Sequence, residues 1–119
     1  MNVICYVRFG QKFQIEEKTK RVVKYCEENG YNVKSVVIEQ HPSRAPYSSI
    51  LKSLINQNEI DGIVVDDIQS FTRNHKVLLE IFADMKKRNI KPISLNTSCE
   101  GIYEAYKSNQ IMLAGLINC

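Results

Sequence analysis

The chain has 119 residues and a mass of 13.7 kDa, which is room for one domain with one hydrophobic core and excludes a second, separately folding module. Hydrophobic residues make up 44% and charged residues 24%, so the composition is that of an ordinary soluble globular protein, neither disordered nor fibrous. The net charge of +3 is too small to indicate nucleic-acid binding by itself. We therefore predict a single domain over residues 1–119.

The cysteines and the apolar runs bear on redox state, metal binding and location. Cys5, Cys26, Cys99 and Cys119 lack the spacing of a zinc site, so we expect reduced thiols in the core rather than disulfides. The first residues do not resemble a signal peptide, and the longest apolar run, residues 111–117, is far shorter than the ~20 residues of a membrane span. The sequence predicts a cytoplasmic protein with no membrane association.

The first half of the chain alternates apolar runs with helical periodicity, which is typical of βαβ units around a mostly parallel sheet. Residues 3–7 are continuously apolar and predict a strand buried on both faces. An amphipathic helix follows, with a stop signal at Asn29-Gly30, and residues 33–38 predict the second strand. The predicted core face of this helix consists of Ile15, Thr19, Val22, Val23 and Cys26.

The second half continues the same alternation. Pro46 suits the first turn of a second helix, residues 61–65 predict a third strand, and residues 91–95 predict a fourth. A third helix lies between these two strands, and residues 101–119 have apolar side chains at approximate helical spacing. The second helix is predicted to bury Tyr47, Ile50, Leu51, Leu54 and Ile55, and the third to bury Val77, Leu78, Ile81, Phe82 and Met85.

Candidate functional residues lie in two segments that follow predicted strands, residues 8–10 and 66–74, because sites in open α/β sheets form at the carboxyl ends of strands. Arg8 and Arg73 are candidates to hold a phosphate or a partner's carboxylate. The alternative is that each arginine only pairs with Asp66, Asp67 or a backbone carbonyl.

Other constellations in these segments are weaker. Ser70 and His75 do not have a recognised nucleophile and base spacing, so a surface histidine is the better interpretation. Asp66 and Asp67 are one carboxylate pair without a further ligand, which is poor evidence for Mg²⁺. The basic run at residues 86–88 is typical of a solvated helix end. We predict no metal and no cofactor.

Several motifs in order resemble the catalytic domain of the resolvase/invertase serine recombinases. The match begins with Tyr6-Val7-Arg8-Phe9-Gly10 and includes Phe71-Thr72-Arg73-Asn74 before a Leu-rich helix. The other matching segments are residues 15–16, 25–31, 61–65, 93–95 and 111–113, and the match is weakest between residues 40 and 54. The resemblance implies a flavodoxin-like three-layer sandwich with a mostly parallel sheet of four to five strands and helices on both faces. It also implies a serine that attacks a DNA phosphodiester and arginines that hold the phosphate.

The chain departs from the family at the residues that carry this chemistry. Gly10 occupies the position of the nucleophile, and Gln69 and Ser70 occupy positions where the family has Asp and Arg. The expected Arg-Pro pair is Ala45-Pro46 here, with Arg44 one place early. The positions of Arg8 and Arg73 are kept. Because loss of a nucleophile lowers the rate by roughly 10⁴–10⁶-fold, we expect no strand cleavage and no enzyme activity of this kind.

The resemblance also suggests how the domain works without cleavage. The matching terminal helix pairs subunits in the family, and its apolar residues here are Ile111, Met112, Leu113, Leu116 and Ile117. No helix-turn-helix or zinc module follows them, so we do not expect a complete recombinase. The first hypothesis is therefore an interaction or regulatory module that forms a homo-oligomer or binds a recombination protein of a mobile element or phage. The alternatives are a weak DNA-binding accessory, an enzyme with altered phosphate chemistry, and a remnant without function.

Overall fold

The computed structural model describes residues 1–8, 11–39, 45–57 and 59–96, in which four strands form one parallel sheet. The strands are β1 (Asn2–Arg8), β2 (Asn32–Glu39), β3 (Gly62–Val65) and β4 (Lys91–Ser94). Their spatial order is β2-β1-β3-β4, and each neighbouring pair is parallel. The carboxyl ends of all four strands therefore lie at the same edge of the sheet.

Three α-helices within the described ranges cover the two faces of the sheet. Helix α1 (Lys12–Glu28) packs on one face, and α2 (Ser49–Gln57) and α3 (His75–Lys87) pack on the other. A short 3-10 helix, Ile68–Ser70, joins β3 to α3. The prediction of a flavodoxin-like three-layer sandwich, with a mostly parallel sheet of four to five strands and helices on both faces, is confirmed.

The core has two parts, separated by the sheet. Successive side chains of β1 point to opposite faces, so Ile4 and Tyr6 join the cluster under α2 and α3, whereas Val3 and Cys5 join the cluster under α1. The first cluster also holds Leu51, Ile55, Ile60, Ile63, Val65, Phe71, Leu78, Ile81, Phe82, Met85 and Ile90. The second holds Val22, Cys26, Val64 and Ile93.

Helix α2 corrects one sequence prediction. It begins at Ser49, three residues after Pro46, because the Ser48 hydroxyl accepts a hydrogen bond from the Leu51 backbone N–H and so provides the N-terminal cap. The prediction that Ile50 is buried is wrong: it lies about 100° around the helix from Leu51 and about 140° from Ile55, the two fully buried residues, and is itself exposed. The predicted stop at Asn29-Gly30 is confirmed: α1 ends at Glu28, and the φ of 69° at Gly30 is in the left-handed region that glycine tolerates.

Among the four described strands, β2 lies at one edge of the sheet, and its register against β1 is irregular. The pairing shifts between Val3 and Ile4, after which Cys5 pairs with Val36 and Val7 pairs with Ile38. Paired residues of parallel strands project to the same face, so Val36 and Ile38 lie on the face that α1 covers. Both nevertheless remain exposed, at 38% and 47%. Helix α1 thus leaves the carboxyl half of β2 uncovered.

Within the described ranges, no helix is both long enough and apolar enough to cross a membrane.

Candidate functional site

The candidate site lies where β1, β2 and β3 end. Arg8 is the last residue of β1, Glu39 is the last residue of β2, and Asp66 follows β3 directly. All three charged side chains are buried, with at most 5% of their surface exposed. A buried charge loses its hydration and needs hydrogen bonds or an opposite charge to compensate for that loss. The structure provides such partners in two separate clusters.

The first cluster is built around Arg8. Its guanidinium contacts the carboxylate of Glu39, with 3.4 Å between Nε and Oε2. It also donates hydrogen bonds to the carbonyl oxygens of Phe71, at 3.4 Å, and Ala45, at 3.3 Å. Since Arg8 is only 1% exposed, its positive charge is directed into the protein.

Glu39 is the acceptor that completes this cluster. The Tyr6 hydroxyl donates to its Oε1 at 2.8 Å, and the Ser48 hydroxyl donates to the same oxygen at 2.5 Å. Burial raises the pKa of the Tyr6 phenol above its usual range, which keeps the phenol protonated as a donor. Sequence reasoning missed Glu39, although one signal was present, because Glu39 ends its apolar run as Arg8 ends the neighbouring one.

The second cluster surrounds Asp66. The Ser70 hydroxyl donates to Asp66 Oδ1 at 2.9 Å, and this serine is itself buried. The opposite carboxylate oxygen lies 3.9 Å from Lys18 Nζ and 3.8 Å from Arg21 Nη2, both on α1. Neither basic residue belongs to the predicted core face of this helix, and the sequence analysis did not identify them as partners of Asp66.

The segment from residue 67 to residue 74 is ordered by side-chain caps. Asp67 Oδ1 accepts a hydrogen bond from the Gln69 backbone N–H at the start of the 3-10 helix, and Asn96 donates to the other oxygen at 3.4 Å. Asn74 caps α3 by accepting from the Val77 N–H at 3.2 Å. These contacts give the side chains of Asp67 and Asn74 a structural role.

The structure separates the residues that the sequence analysis had grouped together. Arg8 and Ser70 are interior, whereas Gln69, Arg73 and His75 are not buried. Arg8 approaches the 66–74 segment through the Phe71 carbonyl. Gly10, Arg44 and the predicted interface, Ile111, Met112, Leu113, Leu116 and Ile117, lie outside the described residues.

No group of three or more His, Cys, Asp or Glu side chains in the described part of the chain is arranged to hold a metal ion. The two adjacent acids use their oxygens on protein groups: Asp66 on Ser70 and α1, and Asp67 on Gln69 and Asn96. Among the described residues at this edge of the sheet, Arg73 is an exposed basic side chain, whereas Arg8 and Asp66 are buried with protein partners.

A family model, described as Resolvase, N terminal domain, matches residues 3–117 of the chain. The chain belongs to this family. The sequence prediction of a serine recombinase-like domain is thereby confirmed, and the match spans the strand-end residues described above as well as residues 111–117.

Solved structures of serine recombinases share the fold of this resolvase-type domain. The N-terminal catalytic domain of TP901-1 integrase has a TM-score of 0.72 at 22% identity, over 95% of this chain and 98% of that one. The C-terminal catalytic domain of ISC1926 TnpA, an IS607-like serine recombinase, has a TM-score of 0.70 at 17% identity, over 98% of this chain and 85% of that one. A serine recombinase from Sulfolobus solfataricus has a TM-score of 0.52 at 20% identity, over 98% and 84% of the two chains. No curated protein matches the sequence significantly.

Proposed function

We propose that this resolvase-type domain does not cleave DNA and acts instead by associating with protein, first of all with a second copy of itself. The observation that carries the proposal is the state of Arg8. An arginine that neutralises a reacting phosphate must present its donors to the substrate, whereas Arg8 is 1% exposed and donates to two backbone carbonyls beside Glu39.

The sequence of the site supports the same proposal. By the family resemblance Gly10 stands at the position of the nucleophile, and glycine has no hydroxyl to attack phosphorus. Ser70, at a position where the family has arginine, is buried and donates its hydroxyl to Asp66. Neither residue supplies the group that strand cleavage needs.

Chemical modification of arginine tests whether Arg8 is closed to anions. We expect phenylglyoxal to modify the exposed Arg73 rapidly and Arg8 slowly in the folded protein. Trypsin does not cleave after a modified arginine, so a later digest should still show cleavage after Arg8 but not after Arg73. The matched control is the same reaction in urea, where both arginines react. Rapid modification of folded Arg8 that inorganic phosphate prevents would contradict the proposal, since it would mean an open phosphate site.

The association surface that we propose consists of two parts, one on β2 and one in the apolar segment at residues 111–117. The first part is the carboxyl half of β2, which α1 does not cover and where Val36 and Ile38 lie on one face of an edge strand. An edge strand offers unpaired backbone groups along its free side, and a second copy can pair with it symmetrically. The other part is the apolar segment at residues 111–117, which the resemblance assigns to subunit pairing.

Light scattering after size-exclusion chromatography tests the association. We expect a dimer or larger oligomer whose mass does not change between low and moderate salt. Ile38→Lys and Leu113→Asp should each shift the protein toward monomer, whereas Ser35→Lys, at an exposed position that projects to the other face of β2, should not. A monomeric wild-type protein would contradict the proposal.

A weak DNA-binding accessory is the second candidate, and the exposure of Arg73 at the strand-end edge favours it. Binding that neutralises phosphates weakens steeply with salt, by about one unit of log-log slope per contact. We expect Arg73→Ala to reduce such a slope by about one unit if this candidate is correct. A flat salt response would exclude it.

The domain's placement in a mobile element is likewise proposed, supported by the transposon and integrase proteins that share its fold.

A further inference from the structure

We propose that Cys5 and Cys26 are a redox pair, which a peroxide oxidises to an intramolecular disulfide that locks α1 onto β1. The two sulfur atoms are 3.7 Å apart, and each thiol is fully buried. Cys5 lies in the centre of β1 and Cys26 in the last part of α1, so a bond between them would join two layers of the fold. Both are free thiols in the structure.

The geometry favours a bond between these two thiols over reaction with an external one. A disulfide requires sulfur atoms about 2 Å apart, so the two side chains need to approach by less than about 2 Å in total. The thiols already contact each other through an S–H···S hydrogen bond. Any oxidised form of one sulfur is therefore next to the other.

The reaction balances with hydrogen peroxide as the oxidant. One sulfur attacks a peroxide oxygen, the O–O bond breaks, and a sulfenic acid and one water form. The second sulfur attacks the first, the S–S bond forms, the S–O bond breaks, and the departing hydroxide takes up the remaining proton as water. Two thiols and one peroxide thus yield one disulfide and two waters.

The reduced state is the resting state in this scheme. Burial raises the pKa of the Cys5 thiol to about 12, with a smaller contribution from the neighbouring Cys26, and it also raises the pKa of Cys26. Neither sulfur is an exposed thiolate at neutral pH, so oxidation starts when local opening admits the peroxide. The pair responds to sustained oxidant and not to brief exposure.

Peptide mapping of the full chain tests the bond directly, because trypsin separates the four cysteines. Cys5 lies in the peptide 1–8, Cys26 in 25–34, Cys99 in 89–107 and Cys119 in 108–119. After peroxide treatment and blocking of remaining thiols, we expect peptides 1–8 and 25–34 joined, two hydrogen atoms lighter than their sum. Recovery of both as blocked thiols or as sulfinic acids would overturn the proposal, as would their joining to the other two cysteine peptides.

The locking role has a separate readout. A disulfide across this loop should raise the melting temperature by roughly 10 °C, and dithiothreitol should reverse the rise. Cys26→Ser and Cys26→Ala should abolish both the joined peptide and the rise. Using two variants separates the loss of the thiol from any effect of a buried hydroxyl. An unchanged melting temperature in a protein that contains the joined peptide would overturn the locking role.

Discussion

Arg8 and Glu39 are register partners on neighbouring parallel strands, and their side chains form a buried ion pair at the end of the sheet. A buried pair of charges does not by itself stabilise a fold strongly, because removing both ions from water costs free energy that their attraction only partly offsets. The pair instead fixes where each group points. Tyr6 and Ser48 hold Glu39, and Glu39 holds Arg8.

Replacement of Glu39 by glutamine tests this arrangement. The amide oxygen in Glu39→Gln would still accept hydrogen bonds from Tyr6 and Ser48, but the Arg8 charge would lose its partner, so we expect the free energy of unfolding to fall by about 3 kcal/mol. Urea denaturation measures this. Tyr6→Phe, which removes one donor and no charge, should cost about 1 kcal/mol. Equal losses in the two variants would show that the charge of Glu39 is unimportant.

A second prediction concerns Ser70, the candidate for an altered enzyme chemistry. Its hydroxyl is a buried donor to Asp66, so Ser70→Ala should lower the free energy of unfolding by about 1–2 kcal/mol through the acceptor left without this bond. Any phosphate hydrolysis by the preparation should be unchanged. Gln69→Ala is the matched control outside the core, expected within about 0.5 kcal/mol of wild type. Loss of an activity in Ser70→Ala at unchanged stability would instead support catalysis by Ser70.

The strands and the helix faces could be predicted from the sequence, because they depend on local periodicity. Residues 3–7 predict a strand buried on both faces, and Val3 to Val7 are buried in the structure. The burial of Leu51 and Ile55 follows from the same helical spacing. Ile50 was predicted wrongly because it lies at the margin of the apolar face centred on Leu51 and Ile55, and spacing alone does not show how far around the helix the core extends.

The candidate site was only half predictable. That Arg8 ends a strand is a local property, and the parallel sheet that the alternating pattern predicts places this end beside the other strand ends. That it points inward depends on Glu39 and on carbonyls of Phe71 and Ala45, which are distant in the chain. Likewise Lys18 and Arg21 fall on the outer half of a helical wheel, and only the placement of α1 across the end of β3 brings them to Asp66.

Asn74 provides a third prediction, at the start of α3. Its side chain accepts the N–H of Val77, so Asn74→Ala should lower the free energy of unfolding by about 1 kcal/mol. Asn74→Asp keeps an acceptor at the same place and adds a negative charge at the helix N-terminus, so it should be no less stable than wild type. Thermal denaturation of the three proteins measures the difference. Equal destabilisation by Ala and Asp would contradict the capping role.

The fourth prediction is a loss of stability at alkaline pH. The pKa of Cys5 is raised from 9.0 to about 12 in the folded protein, and burial also raises the pKa values of Tyr6 and Tyr47 above the usual 10.0. The unfolded chain therefore releases protons at a lower pH than the folded one does. Stability should fall as pH rises through the ordinary pKa values of these groups, because the unfolded chain loses their protons first, and the contribution of the buried Cys5 should be on the order of 1 kcal/mol per pH unit.

Urea denaturation under reducing conditions at about pH 8, 9.5 and 10.5 measures this fall, since these values bracket the ordinary thiol and phenol pKa values. Cys5→Ser removes a titrating group, so its stability should fall less steeply than that of wild type over this whole range. Tyr47→Phe should make the free energy of unfolding fall less steeply only above about pH 10, where an exposed tyrosine ionises. Identical slopes in wild type and Cys5→Ser would mean that the Cys5 thiol ionises in the folded protein as readily as in the unfolded chain. That result would also contradict the burial of the Cys5 side chain beneath α1.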